Sequence, residues 1–263
     1  MSTTTTTTNT YRVTPTRVLR SEWHKLWTVR STWITVLASA AFLLGVGILM
    51  GATYTSDGGD SDVDTVVLSL YGSQLGGICL AVLGILVTAG EYSTGLIRAS
   101  MTAVPRRTPV LWAKATVFTA VVFTVSFVTA LITFLAAQIF LSDSDQAASL
   151  ADDGVLAAIA GNAAGVTLLS LIALGLGATL RSVPGGIGAF IGGVLILPEV
   201  LGMLPYDAVE TAVRYFPTQA AGVLGSADPL PNAASPGGAL LALCLWAAAT
   251  LIVPALLLKR RDV

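Results

Sequence analysis

Few side chains in this 263-residue chain have the chemistry to make or break bonds. There is one histidine, His24, and there are two cysteines, Cys79 and Cys244, both set in apolar runs. A buried free cysteine behaves as a small hydrophobe, and neither Cys/His metal spacing nor an H-E-x-x-H pair occurs. The phosphate-loop pattern G-x-x-x-x-G-K-[ST] is absent. A lone histidine near the N-terminus leaves no Ser-His-Asp set. No catalytic, cofactor-binding or metal-ligating residue is therefore assigned. The side chains that stand out are charges. Glu91, Arg98, Arg106, Arg107 and Lys114 lie together in GEYSTGLIRASMTAVPRRTPVLWAK, residues 90–114. Their chemistry is ion pairing and hydrogen bonding, which suits docking rather than catalysis.

The elements around that polar island are apolar. Charged residues make up 11% of the chain, against about 25% in soluble domains. Six stretches are long enough to cross a bilayer as helices, approximately 34–53, 66–89, 115–141, 155–180, 185–204 and 237–258. The expected fold is an all-α integral membrane protein with six transmembrane helices. Pro198 and Pro205 interrupt the end of the fifth. Of the fourteen Lys and Arg residues, all but Arg214 fall in the two termini, in the 90–114 segment or, as Arg181 alone, between the fourth and fifth stretches. Basic residues favour cytoplasmic loops, so both termini are expected in the cytoplasm. Most acids, including Asp57, Asp60, Asp62, Asp64, Asp143, Asp145, Asp152 and Asp153, lie in the alternate loops.

Three domains of sequence follow. Residues 1–14 read as a disordered Thr-rich tail, with no cleavable signal peptide. Residues 15–32 read as an amphipathic helix beginning at Pro15, with Leu19, Trp23, Leu26 and Trp27 on one face. Trp23, Lys25, Trp27 and Arg30 suit a helix lying at the lipid headgroups; the plainer reading is a basic flank that sets topology. Residues 33–263 form one membrane domain. Its longest external segment, 205–236, carries short apolar pieces around Pro217, which suggests short re-entrant helices before the sixth span.

Within the spans, Gly47/Gly51, Gly72/Gly76, Gly161/Gly165 and Gly188/Gly192 have the spacing that lets helices pack closely in lipid. Thr119, Ser126, Thr129 and Thr133, with Thr116, fall on one side of the third span. They could line a path; the alternative is hydrogen bonding between helices or to their own helix. Glu199 is the one acid inside a span and lies near its outer end, so the chain lacks the intramembrane acids of many ion-coupled carriers.

In the polar island, Glu91 is read as beginning a short helix, where a carboxylate complements the helix dipole. Tyr92, Leu96 and Ile97 would give it apolar contacts, Pro105 would end it, and Arg106 and Arg107 would meet water or lipid phosphate. A plain topology-setting loop is the alternative.

The segments E-Y-S-T-G-L-I-R-A-S and P-R-R-x-P-V-L-x-A-K closely resemble the permease subunits of type-2 ABC transporters, whose membrane fold is shared with ABC G-subfamily exporters. S-E-W-H-K-L-W-T-V-R-S-T-W (21–33) resembles that family's connecting helix, and R-Y-F-P-T-Q-A (214–220) its external segment. L-L-L-K-R-R-D-V (256–263) resembles its usual ending; actinobacterial members look closest. The resemblance implies a cytoplasmic coupling helix between spans two and three, with Glu91 at its start and Tyr92, Gly95 and Arg98 along it. It also implies a noncatalytic subunit in a bacterial plasma membrane. That subunit would pair with a second permease chain, as a homodimer, and with two ABC ATPase subunits that hold ATP and Mg. The substrate would be an amphiphile; no nucleic acid is expected as a partner. A self-contained carrier or channel, or an immunity or sensor permease without net export, are the competing readings.

Overall fold

The computed structural model describes residues 14–54, 64–93, 95, 108–228, 230 and 232–260. The tail at 1–13, the acids Asp57, Asp60 and Asp62, and most of the 94–107 segment, including Arg98, Arg106 and Arg107, lie outside the described residues. Among those described, six helices are long and apolar enough to cross a membrane.

Helix α1 (Pro15–Thr28) starts with its proline in the first turn, as expected, and stops at Val29, whose backbone is extended. The first span, α2 (Arg30–Thr53), follows at once, so the helix predicted over 15–32 is cut four residues short. The second span is displaced relative to expectation. Asp64 caps a five-residue helix, α3 (Thr65–Ser69); the chain then turns, and the long helix α4 runs over Ser73–Ser93. It thereby takes in Glu91 at its end. The third and fourth spans are α5 (Thr108–Leu141) and α6 (Val155–Leu180). The fifth is composite: α7 (Val183–Phe190), a π-helical turn over Ile191–Ile196, and α8 (Leu197–Gly202). Short helices α9 (Asp207–Val213) and α10 (Pro217–Leu224) precede the sixth span, α11 (Pro236–Arg260).

The π-turn has a local cause. Pro198 has no N–H to give the Val194 carbonyl four residues back, and its ring crowds that carbonyl. The widened turn relieves the crowding. The Val194 oxygen takes a hydrogen bond instead from the Thr218 hydroxyl on α10, at 3.3 Å.

Helices α4 and α6 form the centre, with α2, α5, α7 and α11 around them. Leu80, Leu83, Ile85, Phe118, Ile172, Leu174 and Leu243 are almost wholly buried there. Many large apolar residues, such as Ile34, Leu37, Ile139 and Leu245, face outward. Lipid is as apolar as they are, so close packing of small residues, rather than escape from water, decides which faces meet. Gly161 shows this most clearly: a Cβ there would run into the Leu224 carbonyl of α10. Gly47, Gly51, Gly72, Gly76 and Gly165 also sit against neighbouring backbone or side chains, whereas Gly188 and Gly192 have nothing within 4 Å among the described residues. Their spacing on the fifth span therefore marks no packing among the described residues.

Candidate functional site

Four charged side chains meet where α1, α4 and α5 come together. Helix α1 packs along the first turns of α5, burying Val18, Glu22 and Leu26 at four-residue spacing. This stripe is rotated from the face expected from Leu19, Trp23, Leu26 and Trp27. Trp23 is 45% exposed on the outer side. The stripe carries a carboxylate into an apolar contact, and the neighbouring helices supply its partners.

The four charges close into a ring. Lys25 Nζ lies 2.8 Å from Glu22 Oε1 and 3.4 Å from Glu91 Oε1. Lys114 Nζ lies 2.8 Å from Glu22 Oε2 and 2.8 Å from Glu91 Oε1. The Glu22 and Lys114 side chains are only 3% and 7% exposed, while Lys25 reaches toward the surface at 41%. Two carboxylates and two ammonium groups give no net charge, which is the condition for tolerating ions in a poorly solvated place. Burial alone would push the Glu22 carboxyl up, but the Lys114 and Lys25 ammonium groups outweigh it and hold that carboxyl below the usual range. Burial would likewise lower Lys25, yet Glu22 and Glu91 raise it overall. One position is left over: Glu91 Oε2 is buried and receives no hydrogen bond.

The end of α4 is gripped on its other side as well. The Arg181 guanidinium lies 5.0 Å from the centre of the Tyr92 ring, a cation–π contact. Arg181 caps α6 in the left-handed conformation, with φ 54°. One turn earlier, the Thr88 hydroxyl donates to the Leu174 carbonyl at 3.0 Å. Gly95 has φ 74°, so the α4 helix ends before it. Glu91 thus closes the second span rather than opening a new helix, and Gly95 marks the turn out of it.

The other singled-out residues are placed as follows. Trp23, Trp27 and Trp33 form a row, with ring centres 5.7 and 4.8 Å apart. The Trp33 indole N–H donates to the Trp27 carbonyl at 3.1 Å. Arg30 is exposed at the start of α2, and Lys25, 41% exposed, also reaches into the charge ring. On the third span, Thr119 and Thr133 donate to the carbonyls four residues before them, Ala115 and Thr129, each at 2.8 Å. Thr133 is fully buried, with its methyl group where a Cβ on Gly47 would sit. Ser126 is buried, and Thr129 is half-buried.

Sequence reasoning missed Glu22 as a site residue and read Lys114 only as a membrane boundary. The available signal was the Val18–Glu22–Leu26 spacing, a carboxylate in line with two hydrophobes. Compared with known proteins, no family model and no curated relative matches the chain.

Proposed function

We propose that this chain is the noncatalytic membrane subunit of an ATP-driven ABC exporter, and that the segment after its second span couples it to a separate ATPase. The observation that carries this reading is the charge ring, because it joins the root of that segment, Glu91, to α1 and the third span. A force applied to residues 94–107 by a soluble partner would reach Glu91 first. Through Lys114 and Glu22 it would then move α5 and α1, and through Tyr92 and Arg181 it would move the fourth-to-fifth connection. A loop that merely set topology would need no such buried ties. The resemblance of E-Y-S-T-G-L-I-R-A-S to the coupling region of type-2 permeases supplies the partner. ATP and Mg belong to that partner. In this reading both termini are cytoplasmic, the membrane is a bacterial plasma membrane, and two permease chains pair to enclose an amphiphilic substrate.

The test is to purify the tagged chain gently from its native host and identify what comes with it. An equimolar soluble protein bearing a phosphate loop, with ATP hydrolysis in the assembly, is expected. A chain that purifies alone, without ATPase activity even after crosslinking, would overturn the proposal in favour of a self-contained carrier.

A further inference from the structure

A third buried carboxylate sits at the opposite end of the bundle from the charge ring. Asp64 is 8% exposed and accepts five hydrogen bonds. Its Oδ1 takes the Val66 and Val67 N–H groups, at 2.7 and 3.1 Å, and so caps α3. Its Oδ2 takes the Ala227 and Asp228 N–H groups at 2.5 and 2.7 Å and the Ser226 hydroxyl at 2.8 Å. That hydroxyl shares its single proton with the Asp228 carbonyl, 2.7 Å away. Burial by itself would raise the Asp64 carboxyl; the Asp228 N–H, the Ser226 hydroxyl and the cap donors bring it below the usual range.

The segment it holds, 226–228, follows directly on the end of α10. Ser226 and Ala227 are half-buried and Asp228 is exposed, so no large apolar side chain anchors 226–228. On the far side of Ala227 stands Gly154, where an added Cβ would lie 3.3 Å from the Ala227 carbonyl. At its other end α10 grips the fifth span twice: Thr218 donates to the Val194 carbonyl in the π-turn, and Gln219 donates to Glu199 at 3.0 Å. Between these ends it rests on Gly161 and Gly165 of α6.

We propose that α10 is a strap over this face of the bundle, latched by Asp64, and that the latch sets the position of the outer half of the fifth span. The π-turn is where that half can swing, because its backbone ladder is already interrupted and one carbonyl depends on the strap. The polar hold on 226–228 from α3 is one negative charge facing two N–H groups and a hydroxyl, beside the light packing of Ala227 on the apolar cluster around Val66 and Phe134. Removing the charge frees the strap end without taking anything from the central core. The strap does not depend on any ATPase partner, so its test is separate from that of the coupling reading.

The test is hydrogen exchange on the full chain in lipid nanodiscs, with Asp64→Asn and Asp64→Ser. Both replacements are good helix caps, so α3 keeps its start while Oδ2 is lost. Amide exchange at 227 and 228 is expected to rise about tenfold or more, since charge-assisted bonds are the stronger class. Exchange in 191–202, across the π-turn, should rise with it, while α4 and α6 stay as they were. Unchanged exchange at 227 and 228 in both variants would overturn the latch. Acceleration at 227 and 228 with the fifth span unmoved would overturn the strap. Uniform acceleration through α4 and α6 would show that Asp64 only supports the fold. If Asp64→Asn does not fold, Asp64→Ser decides the question, because its shorter side chain brings no N–H group toward the strap donors.

Discussion

Removing Glu22 should loosen the joint between α1 and the third span, and restoring neutrality should recover most of it. In Glu22→Leu, Lys114 keeps Glu91 at 2.8 Å but loses its second carboxylate at 2.8 Å, and the buried set gains a net positive charge. Breaking a buried ion pair from one side costs about 3–5 kcal/mol, because the remaining charge stays poorly solvated. Lys25 is well exposed and rehydrates, so its share of that cost is small. The lower figure, about 3 kcal/mol, applies, which is roughly a 150-fold change in the docked-to-undocked ratio of α1. The double variant Glu22→Leu/Lys114→Met removes one charge of each sign and leaves Lys25 with Glu91. Replacing a buried pair by hydrophobes of similar size is often near neutral, so it should lie within about 1–2 kcal/mol of the unmodified chain. Hydrogen exchange of the α1 amides in nanodiscs reads the docking equilibrium directly. Lys114→Met breaks the same pair from the other side and should cost about 3 kcal/mol as well, so the double-mutant cycle should show a coupling of about 4–5 kcal/mol between the two positions. If the two single changes add with no coupling, or if Glu22→Leu leaves α1 exchange unchanged, the ring does not hold the helix.

The same carboxylate fixes a pH response. Glu22 is held below its ordinary range in the folded chain, so its contribution is complete above the unfolded value of about 4.3 and is lost as pH falls through the lower folded value. Exchange protection of α1 should therefore stay flat from neutral pH down past 5 and fall only in more acid buffer; a loss centred near pH 6–7 would contradict the assignment. In the packing, Gly161→Ala should cost about 1–3 kcal/mol, because its Cβ meets the Leu224 carbonyl. Gly188→Ala, with open space around it, should be neutral or gain up to about 1 kcal/mol of helix propensity. Thermal unfolding of the two variants side by side checks this ordering, and a larger loss at Gly188 would reveal a close neighbour from outside the described residues.

The number of the spans, and the placement of all but the second to within a few residues at most ends, were legible because continuous apolar length is a local property. The start of α1 at Pro15, the weak point at Pro198 and the tight packing of six of the eight spaced glycines were legible for the same reason. Faces were not legible. A helix that is apolar all round gives no stripe to read, so nothing in the third span distinguished a polar path from hydroxyls bonded to their own carbonyls, as at Thr119 and Thr133. The rotation of α1 was hidden because both candidate faces contain Leu26, and only contact with α5 selects Val18 and Glu22 over Trp23.

What the sequence determined, then, is a helical chain with six stretches long and apolar enough to cross a membrane and a polar segment after the second of them. Each of those properties depends on residues close together in the chain. Only the tertiary structure decided that Glu22, Lys25, Glu91 and Lys114 form one neutral ring, and that Asp64 holds Ser226, Ala227 and Asp228. Glu22 and Glu91 are 69 positions apart, and Asp64 and Ser226 are 162 apart. A charge buried in an apolar bundle is tolerated only where another helix brings its partner. That partnership is set by how the helices cross, which no local stretch of sequence contains.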